Sequence, residues 1–471
     1  MIFNLPLDII AFRACLFFLI GILLISILKN VLFVSLIGGF IFILALILKK
    51  YSFLPFIIFI VIGAFYYQIY ENIKNEVNMP FDTKTEFTGV IKNIDQSQTS
   101  QDIILALEKP LNGLIEVYAR PYPVFQYGDL IKLTGIVKEP PEKLKNYYSK
   151  NGISGIVNFA NLELIESGHG NSIKAALLSF KNKIVEIFRQ SLPDEKAAFL
   201  AGITIGERSS FSKEFKQKMS LSGTTHLVAM SGYNISVIAL TIGVIFGSFL
   251  SPAISFYISV LFIILFVLMT GAEASVVRAA IMGIIALVAQ KAERIYSLRN
   301  AITIAAFLMV LFNPMVLFFD VGFQLSFAAL MGIIYLQPAL KSFFKIESRG
   351  LLSWKENALT TVSAQLAVIP LLLANFGVFS LTSFFANILI LGVMPMTMGL
   401  GFVMASFGFV SIFLAQIIGL AVNILISYEF FIINLFSKFT LMVSFEKFSI
   451  IIGIIYYIFL IFFIYKFNKK D

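Results

Sequence analysis

Three apolar runs open the chain, at roughly residues 9–28, 31–48 and 54–70, each long enough to cross a hydrocarbon core ~30 Å thick as a helix. No other sequence feature constrains the fold as much, because hydrocarbon offers the backbone no hydrogen-bond partner and admits only helices or closed barrels. Further runs follow at roughly 226–247, 253–270, 272–290, 301–312, 317–337, 357–373, 381–411, 414–437 and 448–466. The pattern predicts a polytopic α-helical membrane protein of about twelve spans. The short run 301–312, stopped by Asn313-Pro314, reads equally as one half of a broken helix. Composition points the same way. Only 13% of the residues are charged, about half the usual share of a soluble domain, so lipid must solvate most of the chain.

Basic residues set the expected orientation. With Lys49 and Lys50 in the cytoplasm, the N-terminus lies inside and residue 71 outside. Threading the later runs then places three basic groups inside: Lys291, Arg294 and Arg299; Lys341, Lys345, Arg349 and Lys355; and Lys466, Lys469 and Lys470. Both termini are expected in the cytoplasm. The first run lacks a basic leader and reads as a retained span rather than a cleaved signal. Cys15 is the single cysteine, so no internal disulfide can form.

Between about 80 and 168 the character changes. Alternating patterns at Glu86–Ile94, Asp102–Glu108, Leu114–Ala119, Leu130–Lys138 and Gly155–Leu164, separated by Gly, Pro and Asn turns, predict an inserted extracytoplasmic OB-like β-barrel. A structural barrel without a ligand is the plainer alternative. Ser172–Ser191 then places Ile173, Leu177, Phe180, Ile184, Ile187 and Phe188 at helical spacing, with Lys174, Lys181, Lys183 and Arg189 on the other sides. This predicts an amphipathic surface helix. The expected domains are 1–75, N-terminal spans; 80–168, the β domain; 172–220, a basic connector; and 221–471, the membrane block.

The net charge of +9 is unevenly spread along the chain. Residues 80–168 hold nine Lys/Arg against eleven Asp/Glu, whereas 172–220 hold nine against five. A strong nucleic-acid grip would need a basic groove with stacking aromatics. In the β domain, Tyr118, Tyr122, Phe125 and Tyr127 could stack and Arg120 and Lys132 could meet phosphates, but the local charge favours a cap or guide. The connector lies outside, where positive-inside sorting does not explain it. Lipid anchoring and a funnel for a polyanion both remain open.

The densest polar cluster, Ser222-Gly223-Thr224-Thr225-His226 through Ser231-Gly232-Tyr233-Asn234, opens the fourth run. Polar, interrupted backbone at membrane depth survives where protein buries it or water reaches it. On a helix, His226, Met230 and Asn234 would share one face, a candidate conduit lining. Glu273, Arg278 and Glu429 are intramembrane charges, costly enough to need partners or a function. Glu273 and Arg278, five apart, share no clean helical face, so their pairing would need a bend. Gln324, Ser326 and Gln365 suit hydrogen bonds inside the bundle. No Walker loop is present, two histidines exclude a histidine-rich metal centre, and neither a cofactor nor a metal is expected. His169, in a Gly-rich linker, reads as solvated.

The strings Ala201-Gly202-Ile203-Thr204-Ile205-Gly206-Glu207-Arg208 and Leu221-Ser222-Gly223-Thr224-Thr225-His226-Leu227-Val228-Ala229-Met230-Ser231-Gly232 resemble the ComEC family of competence channels. Arg278-Ala279-Ala280, Asn313-Pro314, Gly322-Phe323-Gln324-Leu325-Ser326-Phe327, Gln365…Pro370 and Asn387…Pro395 fit the same family in order and spacing. The resemblance implies an inner-membrane channel that passes single-stranded DNA into the cytoplasm during natural transformation. Its path would be lined by Arg208, Ser222, Gly223, His226, Ser231, Gly232, Asn234, Arg278 and Gln324. It also implies a DNA receptor, a cytoplasmic DNA-translocating ATPase and a separate nuclease as partners. Many relatives continue into a metallo-β-lactamase-like domain; this chain stops at Asp471, so strand degradation is expected of another protein. Family members often carry His at the place of Asn234 and Asp at that of Ser297. Two other classes stay open: a secondary transporter of a small or lipidic solute, and a membrane-embedded enzyme using His226 with Glu207 or Glu273.

Overall fold

The computed structural model describes residues 6–74, 79–96, 100–109, 111–208, 211–228, 235, 250–293, 295–345, 354–439, 441–445 and 448–468. The chain is mostly helical and divides into two compact units, residues 1–177 with 280–320, and residues 178–279 with 321–471.

In the first unit, the opening runs form helices Leu7–Leu28, Val31–Ile47 and Leu54–Lys74. The Asn30 side chain caps the second, accepting from the Leu32 amide at 2.9 Å, the usual way to satisfy a first-turn donor. The first and third helices meet at glycines. A methyl on Gly21 would collide with the Ile60 carbonyl oxygen, and one on Gly63 with that of Phe18. Backbones approach this closely only through small residues, the common device where lipid removes the hydrophobic drive to associate.

The insertion forms six strands: β1 Lys84–Gln96, β2 Gln101–Leu107, β3 Leu114–Ala119, β4 Leu130–Ile136, β5 Ile153–Asn158 and β6 Asn161–Glu166. They lie in the order β5-β3-β2-β1-β4-β6, all antiparallel except β3 with β5. A single bridge joins Lys138, just past β4, to Ile156 of β5. Alternation drives the core, which gathers Phe87, Ile91, Ile103, Leu105, Ile115, Val117, Ile131 and Leu133. The predicted single strand 155–164 is instead two, because Phe159 adopts a left-handed backbone (φ 53°) that breaks the ladder. A short helix, Lys145–Asn151, precedes β5. It docks on the turn after helix Leu298–Phe312: Lys150 pairs with Asp320 at 2.6 Å, and Asn313 Nδ2 donates to the Lys150 carbonyl at 3.0 Å.

The expected surface helix Ser172–Ser191 is present, with Ile184, Ile187 and Phe188 buried and Ile173 and Phe180 exposed. The second unit continues with helices Asp194–Ile205, Lys213–Ser222, Pro252–Met269, Ala274–Lys291 (to residue 279), Val321–Met331, Gln337–Phe344, Trp354–Phe376, Ser383–Leu391, Met394–Gly408, Ile412–Lys438 and Ile450–Phe467. Residues Gly332–Leu336 form a π-helical turn that joins Val321–Phe344 into one span. A methyl on Gly332 would strike the Ser363 carbonyl. The predicted run 381–411 is bent by 48° between Ser383–Leu391 and Met394–Gly408. Strand Val378–Ser380 pairs with Met442–Ser444.

Among the described residues, eight helices are long and apolar enough to cross a membrane, or nine when the bent pair counts as one. Val31–Ile47 and Leu298–Phe312 are shorter apolar helices, and the predicted run 226–247 lies almost wholly outside the described residues. The chain is thus a multi-pass membrane protein carrying a six-stranded insertion.

Candidate conduit and nucleic-acid interface

The second unit draws its polar groups together around one arginine. Helix Asp194–Ile205 ends at Gly206, whose left-handed backbone (φ 72°) turns the chain sharply and presents Glu207 and Arg208 beyond the helix. Glu207 pairs with Lys181 of the amphipathic helix at 2.7 Å. Arg208 donates from Nη2 to Glu273 at 2.7 Å and from Nε to the Val228 carbonyl at 2.9 Å. Glu273 stands at the tip of a hairpin whose turn uses Gly271 and Ala272 at positive φ. Arg208 therefore ties a helix end, a hairpin tip and the opening of the fourth run. Both members of the Arg208–Glu273 pair keep 37% of their side-chain surface accessible.

Helix Lys213–Ser222 is capped at its start by Ser212, whose Oγ accepts from the Phe215 amide at 3.1 Å. It ends at Gly223 (φ 68°), which packs so closely on Ser383 that a methyl would collide with it. Ser222 and Thr224 are fully buried, with their hydroxyls 2.7 Å apart, and Ser380 Oγ donates to the Leu221 carbonyl at 3.1 Å. Ser222 and Gly223 are packing groups here. Thr225 and His226 follow on a 3-10 turn and keep accessible surface, whereas Leu227 and Val228 are buried. Ser231, Gly232 and Asn234 lie outside the described residues, as does Met230.

Arg278 does not reach Glu273. Its Nη1 donates to the Ser326 carbonyl, its guanidinium lies 5.7 Å from the Phe327 ring centre, and its Nε has no partner among the described residues. Gln324 shares the short helix of Ser326 and is half-buried. The Arg208–Glu273 pair and the backbone partner of Arg278 were hidden from sequence reading, since 65 and 48 residues separate the groups. The signal that was available is Gly206-Glu207-Arg208 at the end of a helical run. Among the described residues, no three His, Cys, Asp or Glu side chains converge as metal ligands.

The four β-domain candidates separate. Tyr118 donates to Glu116 at 3.1 Å and lies 3.3 Å from the Tyr148 hydroxyl. Burial first, then the Tyr148 hydrogen bond and the Glu116 charge, push its phenol upward. Lys132 pairs with Glu86, which raises its ammonium. Arg120 and Tyr122 both line a cleft of about 350 Å³, together with Phe159 and Glu163. Tyr122 and Phe159 are exposed there, while Phe125 is buried. Phe159 was missed because it ends a strand pattern and carries no polar signal.

A family model described as Competence protein matches residues 203–470. ComE operon protein 3 of Bacillus subtilis (strain 168) is 29% identical over 237 residues, 49% of this chain and 29% of that protein. The match thus spans less than a third of the relative's own length. No solved structure matches the chain.

Proposed function

The chain belongs to the Competence protein family, and from that membership we propose that it conducts single-stranded DNA through the bacterial cytoplasmic membrane during natural transformation. One observation carries the reading: Arg208 ties Glu273 to the opening of the fourth run, and Arg208, Glu273 and His226 all keep accessible surface. Charged and polar groups kept accessible at the mouth of a membrane block suit a phosphate chain, which loses hydration unless polar groups replace it. Arg278, with one guanidinium nitrogen unpartnered, would meet phosphate deeper in. Lys183 and Arg189, exposed on the connector, would draw the polyanion in.

In this reading both termini are cytoplasmic and the β insertion is extracytoplasmic. Its strand order, with β3 parallel to β5 and the Lys138–Ile156 bridge, supports an OB-like barrel. Arg120, Tyr122 and Phe159 would guide bases by stacking and charge. The chain conducts and does not cut; Glu207 and Glu273, the carboxylates available to a His226 acid–base pair, are engaged by Lys181 and Arg208. A receptor, a cytoplasmic ATPase and a nuclease would act with it.

The test is entry of fluorescent single-stranded DNA into liposomes holding the full chain. His226→Ala with Arg278→Ala should cut entry at least tenfold; equal entry by wild type and variant rejects the path. The 48° bend between Ser383–Leu391 and Met394–Gly408 favours a second reading, a secondary transporter. Flux of a small solute with DNA excluded would select it.

A further inference from the structure

The membrane block buries a carboxylate that the conduit reading does not use. Glu429, on helix Ile412–Lys438, has 0% of its surface accessible. Its Oε1 accepts from the Thr397 hydroxyl at 2.8 Å, and Thr397 is itself fully buried. Its Oε2 has no hydrogen-bond partner among the described residues.

Among the described residues, no element packed on this helix turns a cation toward Glu429; Ser172–Ser191 meets the helix at Gln416 and Gly419, about three turns away. Ser383–Leu391 and Met394–Gly408 carry no charged side chain. Helix Lys213–Ser222 turns Phe215 and Met219 inward, leaves Lys213 and Lys216 exposed, and pairs Lys218 with Glu214 at 2.6 Å. On Asp194–Ile205, Asp194 and Glu195 are exposed. Lys196 of that helix donates to Asn423 at 2.6 Å and to Ser427 at 2.7 Å, groups on the side of Ile412–Lys438 away from Glu429. On Glu429's own helix, Tyr428 donates to the Leu389 carbonyl at 3.4 Å, and Lys438 stands at the far end.

An ionised carboxylate buried without a cation costs several kcal/mol, whereas the neutral acid costs far less. Position adds meaning to that cost. Tyr428 holds Leu389, on the first half of the bent pair, and Glu429 holds Thr397, on the second. The two adjacent residues straddle the 48° bend. We propose that Glu429 is an intramembrane proton-binding site whose charge state sets the grip on the second half of the broken span. Hydronium gives its proton to Oε2, forming the acid and leaving water; deprotonation reverses the step. The inference does not depend on what the conduit carries.

Infrared difference spectroscopy of the full chain in lipid nanodiscs, titrated in pH, tests it. Wild type should show a protonated-carboxyl C=O band at neutral pH that is lost reversibly as pH rises. Glu429→Gln should lack that band while melting as wild type does. Thr397→Val, which removes the donor favouring the carboxylate, should move the midpoint to higher pH. Identical neutral-pH spectra for wild type and Glu429→Gln overturn the proposal. A Glu429 band that persists to the highest pH the fold survives marks a fixed structural acid and overturns it equally. If Glu429→Gln does not fold, an unmoved midpoint in Thr397→Val overturns it.

Discussion

Arg208 satisfies two acceptors from two different segments. Replacing it with Ala removes that donor from the Glu273 carboxylate and from the Val228 carbonyl. Because the pair is more than a third exposed, solvent screens much of the charge term. The expected cost is about 1–2 kcal/mol, read as a lower melting temperature in detergent. Glu273→Gln should cost less, since Arg208 keeps the Val228 carbonyl. A second expectation concerns Tyr118, whose phenol is raised above the ordinary ~10. A raised folded-state value means stability is complete below pH ~10 and falls as pH climbs through the folded titration. Alkaline absorbance titration of the full chain should therefore lose one late-titrating tyrosine when Tyr118 is replaced in Tyr118→Phe. Residue-scale chemistry was the least legible part of the sequence. Ser222 and Gly223 stood out as path residues because they are small and polar at the start of a run. The same smallness lets them pack against Ser380 and Ser383, and sequence does not separate those uses.

At the scale of elements, the crossing of Leu7–Leu28 on Leu54–Lys74 depends on two missing methyl groups. Gly21→Leu or Gly63→Leu should separate the helices and lose at least 1–3 kcal/mol through overpacking. Gly39→Ala, with nothing near its Cβ position, should remain within about 0.5 kcal/mol of wild type. Thermal unfolding of the three variants in one detergent checks the contrast. Element existence was legible because period and polarity carry it: lipid fixes run length, and the pleat fixes alternation. Breaks were less so. The kink at Phe159 requires a left-handed phenylalanine that no propensity favours. The bend near Gly392 did leave a mark, the Gly392–Pro395 spacing, inside a run whose apolarity concealed it.

For the molecule as a whole, the contact that holds the insertion to its neighbouring helices is small and specific. Lys150 and Asp320 are each 14% exposed, and Ser149 and Asn313 flank them. Asp320→Ala should release helix Lys145–Asn151 and speed proteolysis of the loops around the insertion, and a Lys150→Asp, Asp320→Lys exchange should restore much of the protection. Limited trypsin digestion in nanodiscs, followed by mass, reads both. Chain order gave no hint of this docking, because 170 residues intervene.

The π turn at Gly332–Leu336 gives the span Val321–Phe344 one residue more than a regular helix would use over the same rise. The sequence after it is therefore shifted by one position against the periodicity before it, while the later half keeps its facing in space. Wound as a regular helix, the same residues would turn that half by about 100°. Gln337 would then lose Thr360, now 2.9 Å away, and apolar side chains that face protein would face lipid. The turn acts as a buffer for its surplus residue: a single-codon deletion inside it should leave a regular helix with Gln337 still on Thr360.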